Sequence, residues 1–397
     1  MKYCILIIDG ASGLPLPERG GQTCLELAHT PNLDAMAPEG TLGLVRTVPS
    51  GMERSSAAAC MSVLGYDPEV YYRGRAAIEA RSLGIPIGDD EVVFRCNLVN
   101  TDGGVMKDYS AGHISTQEAQ ANIDALNNSL GNAQVEFYPG VSYRHILKLK
   151  GNRNTLNTKS TPPHDISGKP IGEYLPSGSG NEVLRGLMTK SEEVLRGLQV
   201  NKDRVSRGET APTGIWLFWG SGRIPEMPSF EEVYGLRAAL TSGVDLLHGL
   251  GQMAGMDSLK IPGVTDGLDN DYAAQAVGAL EALETHDLVV IHIEAPDEAA
   301  HAGSIDDKVE AIQRIDREVV SRLRTWQPNA LRLLTMPDHP TPIKTRIHSP
   351  DPVPFMLWGA GFIANGAKKF TEAEAAKTGL FIDPGYNIMG RLIEVQD

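Results

Sequence analysis

Three short apolar stretches, far apart in the sequence, are each followed by acidic residues or histidines. They cover residues 5–8, 288–293 and 331–336, and the polar residues after them are Asp9, Asp297, His301, Asp338, His339 and His348. Each stretch has the composition of a buried β-strand, with Gly or Pro close behind it. In a parallel α/β sheet the carboxyl ends of the strands form one edge, where sites are built. The pattern therefore predicts such a sheet, with these side chains converging on one site.

The chain is acidic and otherwise has an ordinary globular composition. Its 397 residues, 41% of them hydrophobic, are enough for two domains or for one large domain with an insertion. A net charge of -14 argues against a nucleic-acid-binding protein, which would carry a basic face. It is compatible with a small anionic substrate, because a few basic residues and a metal ion reverse the field locally.

Cysteine spacing and hydropathy indicate a cytoplasmic protein. Cys4, Cys24, Cys60 and Cys96 form no CxxC pair, which favours reduced structural thiols. Residues 1–10 lead directly into a strand, without the basic segment and cleavage site of a signal peptide. No stretch approaches the roughly 18 apolar residues that a membrane span requires. We therefore expect no membrane association.

Strand-like and helix-like stretches alternate at both ends of the chain, which predicts a mainly parallel sheet flanked by helices. The clearest helix covers 306–326, where apolar residues recur at steps of three and four. A capping box at Ser115 precedes a second helix over 119–130. The middle of the chain has short strands separated by turns, and residues 177–180 return it to the larger sheet. We expect a discontinuous catalytic domain, 1–86 and 179–397, and an inserted α+β domain, 87–178.

The acidic residues and histidines after the strands have the spacing of metal ligands. Asp297 and His301 are four apart, so on a helical turn they share a face and can hold one ion. Taken singly, each residue could instead be a helix cap, a dipole partner or a surface histidine. Together, three carboxylates and three imidazoles are about the complement of two divalent ions. Mixed Asp/His ligation favours Mn²⁺, with Zn²⁺, Mg²⁺ and Co²⁺ as alternatives.

A pair of hydroxyl groups, Ser55 and Ser56, lies where an alanine-rich helix begins. Either serine could cap that helix. Either could also be a nucleophile, because a helix N-terminus favours phosphate and a divalent ion makes a serine alkoxide accessible. Two metal ions beside a serine are typical of phosphoryl transfer.

Four motifs together resemble the archaeal-type cofactor-independent (2,3-bisphosphoglycerate-independent) phosphoglycerate mutases of the alkaline phosphatase superfamily. They are Ile8-Asp9-Gly10, the Ser56 segment ending at Tyr66-Asp67-Pro68, the stretch from Glu294 to His301, and Asp338-His339 through Pro354. The resemblance implies an alkaline-phosphatase-like fold and one ion on Asp297, His301 and His348. It implies a second ion on Asp9, Asp338, His339 and the oxygen of Ser56, with Ser56 as the nucleophile. The implied reaction interconverts 3-phosphoglycerate and 2-phosphoglycerate through phosphoserine.

The resemblance also implies a site for the small phosphorylated substrate in the inserted domain, which closes over it. The residues in matching stretches, or near them, are Arg95, Asn97, Asp108, His113, Arg144 and His164. Three features depart from the family pattern: Ala57 follows the nucleophile, Lys107 to His113 replaces two arginines, and Trp219 replaces an arginine. The Trp219 pattern is closer to a sub-branch proposed to be homoserine kinases. A homoserine-kinase-like phosphotransferase, a phosphatase and a non-catalytic metal-binding protein stay as alternatives. Neither glycine-rich loop continues as a nucleotide motif, so the kinase lacks a recognisable nucleotide site.

Overall fold

The structure of the protein is a computed structural model that describes residues 1–326 and 331–394. The chain divides into two compact units, Met1–Tyr72 with Glu226–Asp397, and Arg73–Pro225. The strands of the described residues are β1 (Lys2–Ile8), β2 (Thr41–Val45), β3 (Glu91–Asp102), β4 (Val105–Asp108), β5 (Val135–Tyr138), β6 (Arg144–Lys150), β7 (Gly214–Ser221), β8 (Ala238–Thr241), β9 (Asp257–Ser258), β10 (Leu288–Ile293), β11 (Leu331–Met336), β12 (Val353–Gly359) and β13 (Phe381–Ile382).

The α-helices connect these strands and cover the sheets. They are α1 (Cys24–Leu27), α2 (Pro31–Met36), α3 (Ser56–Val63), α4 (Pro68–Tyr71), α5 (Arg75–Ser82), α6 (Thr116–Leu130), α7 (Asn181–Gly197), α8 (Gln199–Ser206), α9 (Phe230–Tyr234), α10 (Asp245–Met253), α11 (Tyr272–Ala282), α12 (Ala295–Ala302), α13 (Ile305–Ile315), α14 (Ser321–Thr325), α15 (Glu372–Lys377) and α16 (Ile388–Ile393). Among the described residues, none of these helices combines the length and the apolar character that crossing a membrane requires.

The sheet of the first unit has the order β13-β2-β12-β11-β1-β10-β8-β9. Its central strand β1 runs parallel to both neighbours, β10 and β11, and β8 and β9 continue the parallel part. Only β12 breaks the direction, pairing antiparallel with β11 and with β2. The prediction of a mainly parallel sheet flanked by helices is confirmed.

Strand register brings the predicted site residues to one edge of this sheet. Ile8 pairs with Ile293 and Ile7 pairs with Met336, so the residues after β1, β10 and β11 emerge at the same level. All residues of β10 and β11 are buried, because helices cover both faces of the sheet. Burying each Leu or Ile side chain there stabilises the fold by about 1.5–3 kcal/mol.

The long helix expected over 306–326 is interrupted. Ser304 caps α13, and its hydroxyl accepts a hydrogen bond from the amide of Asp307. One wide π-helical turn, Asp316–Val320, separates α13 from α14. Within that turn the carboxylate of Asp316 accepts from the amides of Asn32 and Leu33, at the start of α2. The apolar stripe nevertheless faces the core as predicted.

The second unit contains a separate antiparallel sheet of five strands, in which β4, β3, β6 and β5 follow one another and β7 also pairs with β3. α6 begins after Ser115, whose hydroxyl accepts from the amide of Glu118, as the capping motif predicts. The position of β7 differs from the prediction that the chain returns to the larger sheet at 177–180. Because β7 pairs with β3, the compact unit extends from Arg73 to Pro225, beyond residues 87–178 on both sides.

Candidate active site

The first cluster of predicted ligands joins Asp297 and His301 of α12 with His348. The imidazole Nε2 atoms of His301 and His348 lie 3.0 and 3.6 Å from Oδ2 of Asp297, and 3.0 Å from each other. Their Nδ1 atoms lie 2.8 and 3.1 Å from the backbone oxygens of Arg346 and Arg54, respectively. Since a carbonyl oxygen only accepts, each Nδ1 carries a proton, and each Nε2 is directed at Asp297.

This cluster requires a positive charge between its members. Burial alone would raise the pKa of Asp297, but His301 and His348 hold that pKa well below its usual range. Burial would lower the pKa of His301, whereas the Asp297 carboxylate raises it to about 9. A proton or a metal cation would supply that charge. A carboxylate and two Nε2 atoms directed at one point are also a suitable ligand set for a divalent cation.

The second cluster joins Asp9, after β1, with Asp338 and His339, after β11. His339 Nε2 lies 3.2 Å from Oδ2 of Asp338 and 3.6 Å from Oδ1 of Asp9. The other oxygen of Asp338 accepts from the amides of Gly10 and His339, at 3.2 and 2.8 Å. These two amides fix the carboxylate, so that its Oδ2 is directed toward the cluster.

Gly10 allows the two clusters to lie side by side. It has a φ of +61°, and a side chain there would clash with the backbone and side chain of Asp297. Only glycine combines this conformation with such a close approach. The sequence motif Asp9-Gly10 therefore places the first cluster directly beside the second.

A third group of possible ligands shares Asp9 with the second cluster. His292 Nε2 lies 2.8 Å from Oδ2 of Asp9 and 3.7 Å from the carboxylate of Glu294. Ser242 Oγ lies 3.0 Å from the other ring nitrogen of His292. His292 lies in β10 and Glu294 directly after it. Glu294 begins one of the family motifs, but nothing in the sequence gave either residue a role as a ligand.

The acidic residues of the site repel one another. Burial, followed by Asp338, Glu294 and Asp297, raises the pKa of Asp9 well above its usual range. Its Oδ1 atom is buried and has no hydrogen-bond partner in the described part of the chain. A divalent cation at this point would relieve both the repulsion and the missing partner, so the residues fit the metal that the sequence implies.

The two serines at the start of α3 have different roles in the structure. Ser55 is the helix cap, and its hydroxyl accepts from the amide of Ala58 at 3.4 Å. Ser56 is the first helical residue, and its Oγ lies 3.1 Å from Nε2 of His339. The buried Ser56 hydroxyl thus faces the second cluster at a helix N-terminus, where the dipole favours a phosphate group.

All six predicted substrate-binding residues lie in the second unit, and aromatic rings connect most of them. The rings of His164 and Trp219, His164 and Tyr109, and Tyr109 and Tyr143 contact edge to face. His113 and Arg144 both contact Tyr143, Arg95 lies over Trp219, and the Asn97 amide donates to the backbone oxygen of Tyr109. Asp108 differs, because its carboxylate accepts from Ser110 and Gly112 of its own loop.

The sequence did not indicate the ionic partners of Arg95. Its guanidinium lies 3.0 Å from the carboxylate of Glu79 on α5, and Arg75 on the same helix lies 2.7 Å from that carboxylate. Burial alone would raise the pKa of Glu79, but Arg95 and Arg75 lower it. The guanidinium groups of Arg75 and Arg95 lie over the ring of Trp219, at 5.2 and 5.7 Å from its centre, respectively. Two arginines thus share one carboxylate beside the ring of Trp219.

Comparisons with known proteins point to one family. The family model of 2,3-bisphosphoglycerate-independent phosphoglycerate mutase matches residues 37–201. The Methanosarcina barkeri enzyme of that name is 44% identical over the full length of both chains. The Methanothermobacter thermautotrophicus protein named 2,3-bisphosphoglycerate-independent phosphoglycerate mutase 2 is 47% identical over 94% of this chain and 92% of its own.

Solved structures show the same fold. A Pyrococcus horikoshii protein of known structure has a TM-score of 0.81 at 26% identity, over 99% of this chain and 97% of its own. The cofactor-independent phosphoglycerate mutase from Thermoplasma acidophilum has a TM-score of 0.62 at 26% identity, over 99% of both chains. Full-length identity above 40% and a shared fold confirm the resemblance seen in the motifs. The chain is thus a member of the 2,3-bisphosphoglycerate-independent phosphoglycerate mutase family.

Proposed function

We propose that this protein interconverts 3-phosphoglycerate and 2-phosphoglycerate through a phosphoserine at Ser56. The proposal extends to this chain the activity named for its relatives. The observation that carries it is the position of the Ser56 hydroxyl, 3.1 Å from His339 and beside two clusters of metal ligands. Capping a helix does not require neighbouring metal ligands, and Ser55 already supplies the cap.

Two divalent ions, for which we propose Mn²⁺, would be held by the two clusters. Asp297, His301 and His348 would hold one, and Asp9, Asp338, His339 and Ser56 the other. Such ions lower the pKa of a nearby hydroxyl and neutralise the charge of a transferring phosphoryl group. The mixed carboxylate and imidazole ligands are compatible with Mn²⁺ and do not exclude Zn²⁺, Mg²⁺ or Co²⁺.

The chemistry assigned to Ser56 is two successive displacements at phosphorus. In the first, Oγ forms a bond to the phosphorus, and the bond to the substrate's C3 oxygen breaks. The leaving C3 oxygen takes up one proton, which balances the proton that the Ser56 hydroxyl loses. In the second, the C2 hydroxyl of the same glycerate attacks the phosphoserine, so that no proton or phosphate is consumed overall. Water must be excluded between the steps, because hydrolysis would release phosphate.

The arginine cluster of the second unit is our candidate for the anionic groups of the substrate. Arg75 and Arg95 share the carboxylate of Glu79, and both guanidinium groups lie over the ring of Trp219. Planar guanidinium groups bind carboxylate and phosphate in a bidentate manner. We further place the protein in the cytoplasm, which suits its four free and buried cysteines.

One assay distinguishes the mutase from its alternatives. Purified protein with Mn²⁺ is incubated with 3-phosphoglycerate, and both 2-phosphoglycerate and inorganic phosphate are measured. The proposal expects 2-phosphoglycerate without phosphate release. Phosphate alone would identify a phosphatase. Inactivity, combined with ATP-dependent phosphorylation of homoserine in a parallel assay, would identify the kinase-like alternative.

A further inference from the structure

Thr341, in the loop after β11, connects the two metal-ligand clusters through one hydroxyl group. Its Oγ1 donates to Oδ1 of Asp297 in the first cluster. The same Oγ1 lies 3.2 Å from Nδ1 of His339 in the second cluster. Thr341 is fully buried, so no solvent competes for these contacts. No other threonine or serine that the structure describes contacts a member of each cluster in this way.

The proton count at this hydroxyl fixes the tautomer of His339. A hydroxyl has one proton, and Thr341 donates it to the carboxylate of Asp297. Thr341 Oγ1 can then only accept from His339, so the ring proton lies on Nδ1. A neutral imidazole has a single ring proton. Its Nε2 therefore presents a lone pair toward Asp9, Asp338 and Ser56.

The backbone of Thr341 is held independently of its side chain. Its amide donates to the backbone oxygen of Ser12 at 3.0 Å, which joins the loops after β1 and β11. The fully buried ammonium of Lys308, from α13, donates to the backbone oxygens of Thr341 and Ser12, at 2.8 and 3.1 Å. A change of the Thr341 side chain should therefore leave the loop in place.

We propose that Thr341 is a positioning residue that couples the two metal sites, by holding His339 as the Nδ1-protonated tautomer and orienting Asp297. This inference rests on the assignment of the two clusters as metal sites. Thr341 binds Oδ1 of Asp297 and Nδ1 of His339, the atoms of these ligands that do not face the metal sites. Residues that hold a metal ligand in this way typically contribute 10- to 100-fold to metal affinity. Because one hydroxyl serves both clusters, its loss affects both ions.

Metal binding tests the coupling without relying on activity. Metal-stripped wild type, Thr341→Val and Thr341→Ser are titrated with Mn²⁺, and free Mn²⁺ is followed by its electron paramagnetic resonance signal. We expect Thr341→Val to weaken both binding events by roughly 10- to 100-fold, and Thr341→Ser to stay within a few-fold of wild type. Thr335→Val is the matched control, because Thr335 is equally buried on β11 and its Oγ1 has no partner among the described residues. Unchanged affinity in Thr341→Val, or loss of one event alone, would overturn the coupling.

A second measurement needs no variant that must fold. Neutron diffraction from deuterium-exchanged, metal-free wild-type crystals locates the ring proton of His339 directly. The proposal requires deuterium on Nδ1 and a Thr341 hydroxyl deuterium directed at Asp297. Deuterium on Nε2 of His339 alone would refute it. If wild type binds two ions and Thr341→Val binds both with unchanged affinity, only this inference is refuted. If wild type fails to bind Mn²⁺, the metal sites themselves are refuted.

Discussion

The hydroxyl of Ser56 lies 3.1 Å from Nε2 of His339, although the two residues are 283 positions apart in the sequence. Ser56 reaches this position as the first residue of α3, and His339 follows β11 at the edge of the sheet. Ser55, its neighbour, instead caps the helix. This difference between adjacent serines gives the first prediction.

Ser56→Ala should lose turnover by roughly 10³-fold or more, because no other hydroxyl in the described site takes the place of the nucleophile. Ser55→Ala should keep turnover within a few-fold and lose about 0.5–2 kcal/mol of stability with the helix cap. Steady-state assays and thermal denaturation of both variants test this pair. Equal activity losses in the two variants would mean that the start of α3, rather than Ser56, is what matters.

Metal removal should abolish activity reversibly. Asp9, Asp297 and Asp338 lie close together in a buried region, and their repulsion requires cations for the arrangement that catalysis needs. Dialysis against a chelator, followed by re-addition of single divalent ions, measures the requirement and ranks the ions. We expect Mn²⁺ to restore the highest turnover. Full activity after verified removal of metal would exclude the two-ion site.

The arginine cluster should control substrate affinity more than the chemical step. Arg75→Gln should raise KM by about 10- to 100-fold, the equivalent of one or two hydrogen bonds to a charged group. Arg95→Lys keeps the charge but loses the bidentate geometry, so a smaller rise in KM is expected. Arg207→Gln is the control, because Arg207 is an exposed, ion-paired arginine of the same unit. A KM that stays at the wild-type value in Arg75→Gln would remove the cluster from the substrate site.

Burial of His145 should make the protein less stable in mild acid. Burial and the nearby Arg95 lower the pKa of His145 to about 3, whereas the unfolded chain has the ordinary value near 6.5. As the pH falls below that value, the unfolded state binds a proton that the folded state refuses, so stability falls. At pH 5 the loss from this residue is about 2 kcal/mol.

Urea denaturation at pH 7 and pH 5 measures this loss. His145→Asn keeps an acceptor for the amide of Gly140 but cannot be protonated, so its stability should depend less on pH than that of wild type. The exposed His29 gives the control variant His29→Asn. If wild type and His145→Asn lose the same stability between the two pH values, His145 is not the residue responsible.

Much of the first unit could be predicted from its sequence, because both the strands and the ligands have local signals. Apolar stretches before Asp9, Asp297 and Asp338 predicted strands, and the geometry of a parallel sheet predicted that their ends meet. The location of β7 could not be predicted in this way. Residues 214–219 form an apolar stretch that would fit either sheet, and only pairing with β3 decides between them.

Side-chain partners were the other part that the sequence could not supply. No motif in the sequence marks Thr341 or Glu79. Their roles come from contacts across 44 positions to Asp297 and 16 positions to Arg95, which no local pattern encodes. His292 shows the same effect, since its position in an apolar strand predicts burial but not its contact with Asp9.

The most direct test of the account is to look for phosphate on Ser56 during turnover. Protein with Mn²⁺ is mixed with 3-phosphoglycerate carrying radioactive phosphate, quenched in acid within one turnover, digested and mapped by mass spectrometry. The account predicts that the label lies on the peptide containing Ser56, at Ser56 itself, while 2-phosphoglycerate forms and free phosphate does not. Formation of 2-phosphoglycerate with no labelled protein, or with the label on Ser55, would contradict it.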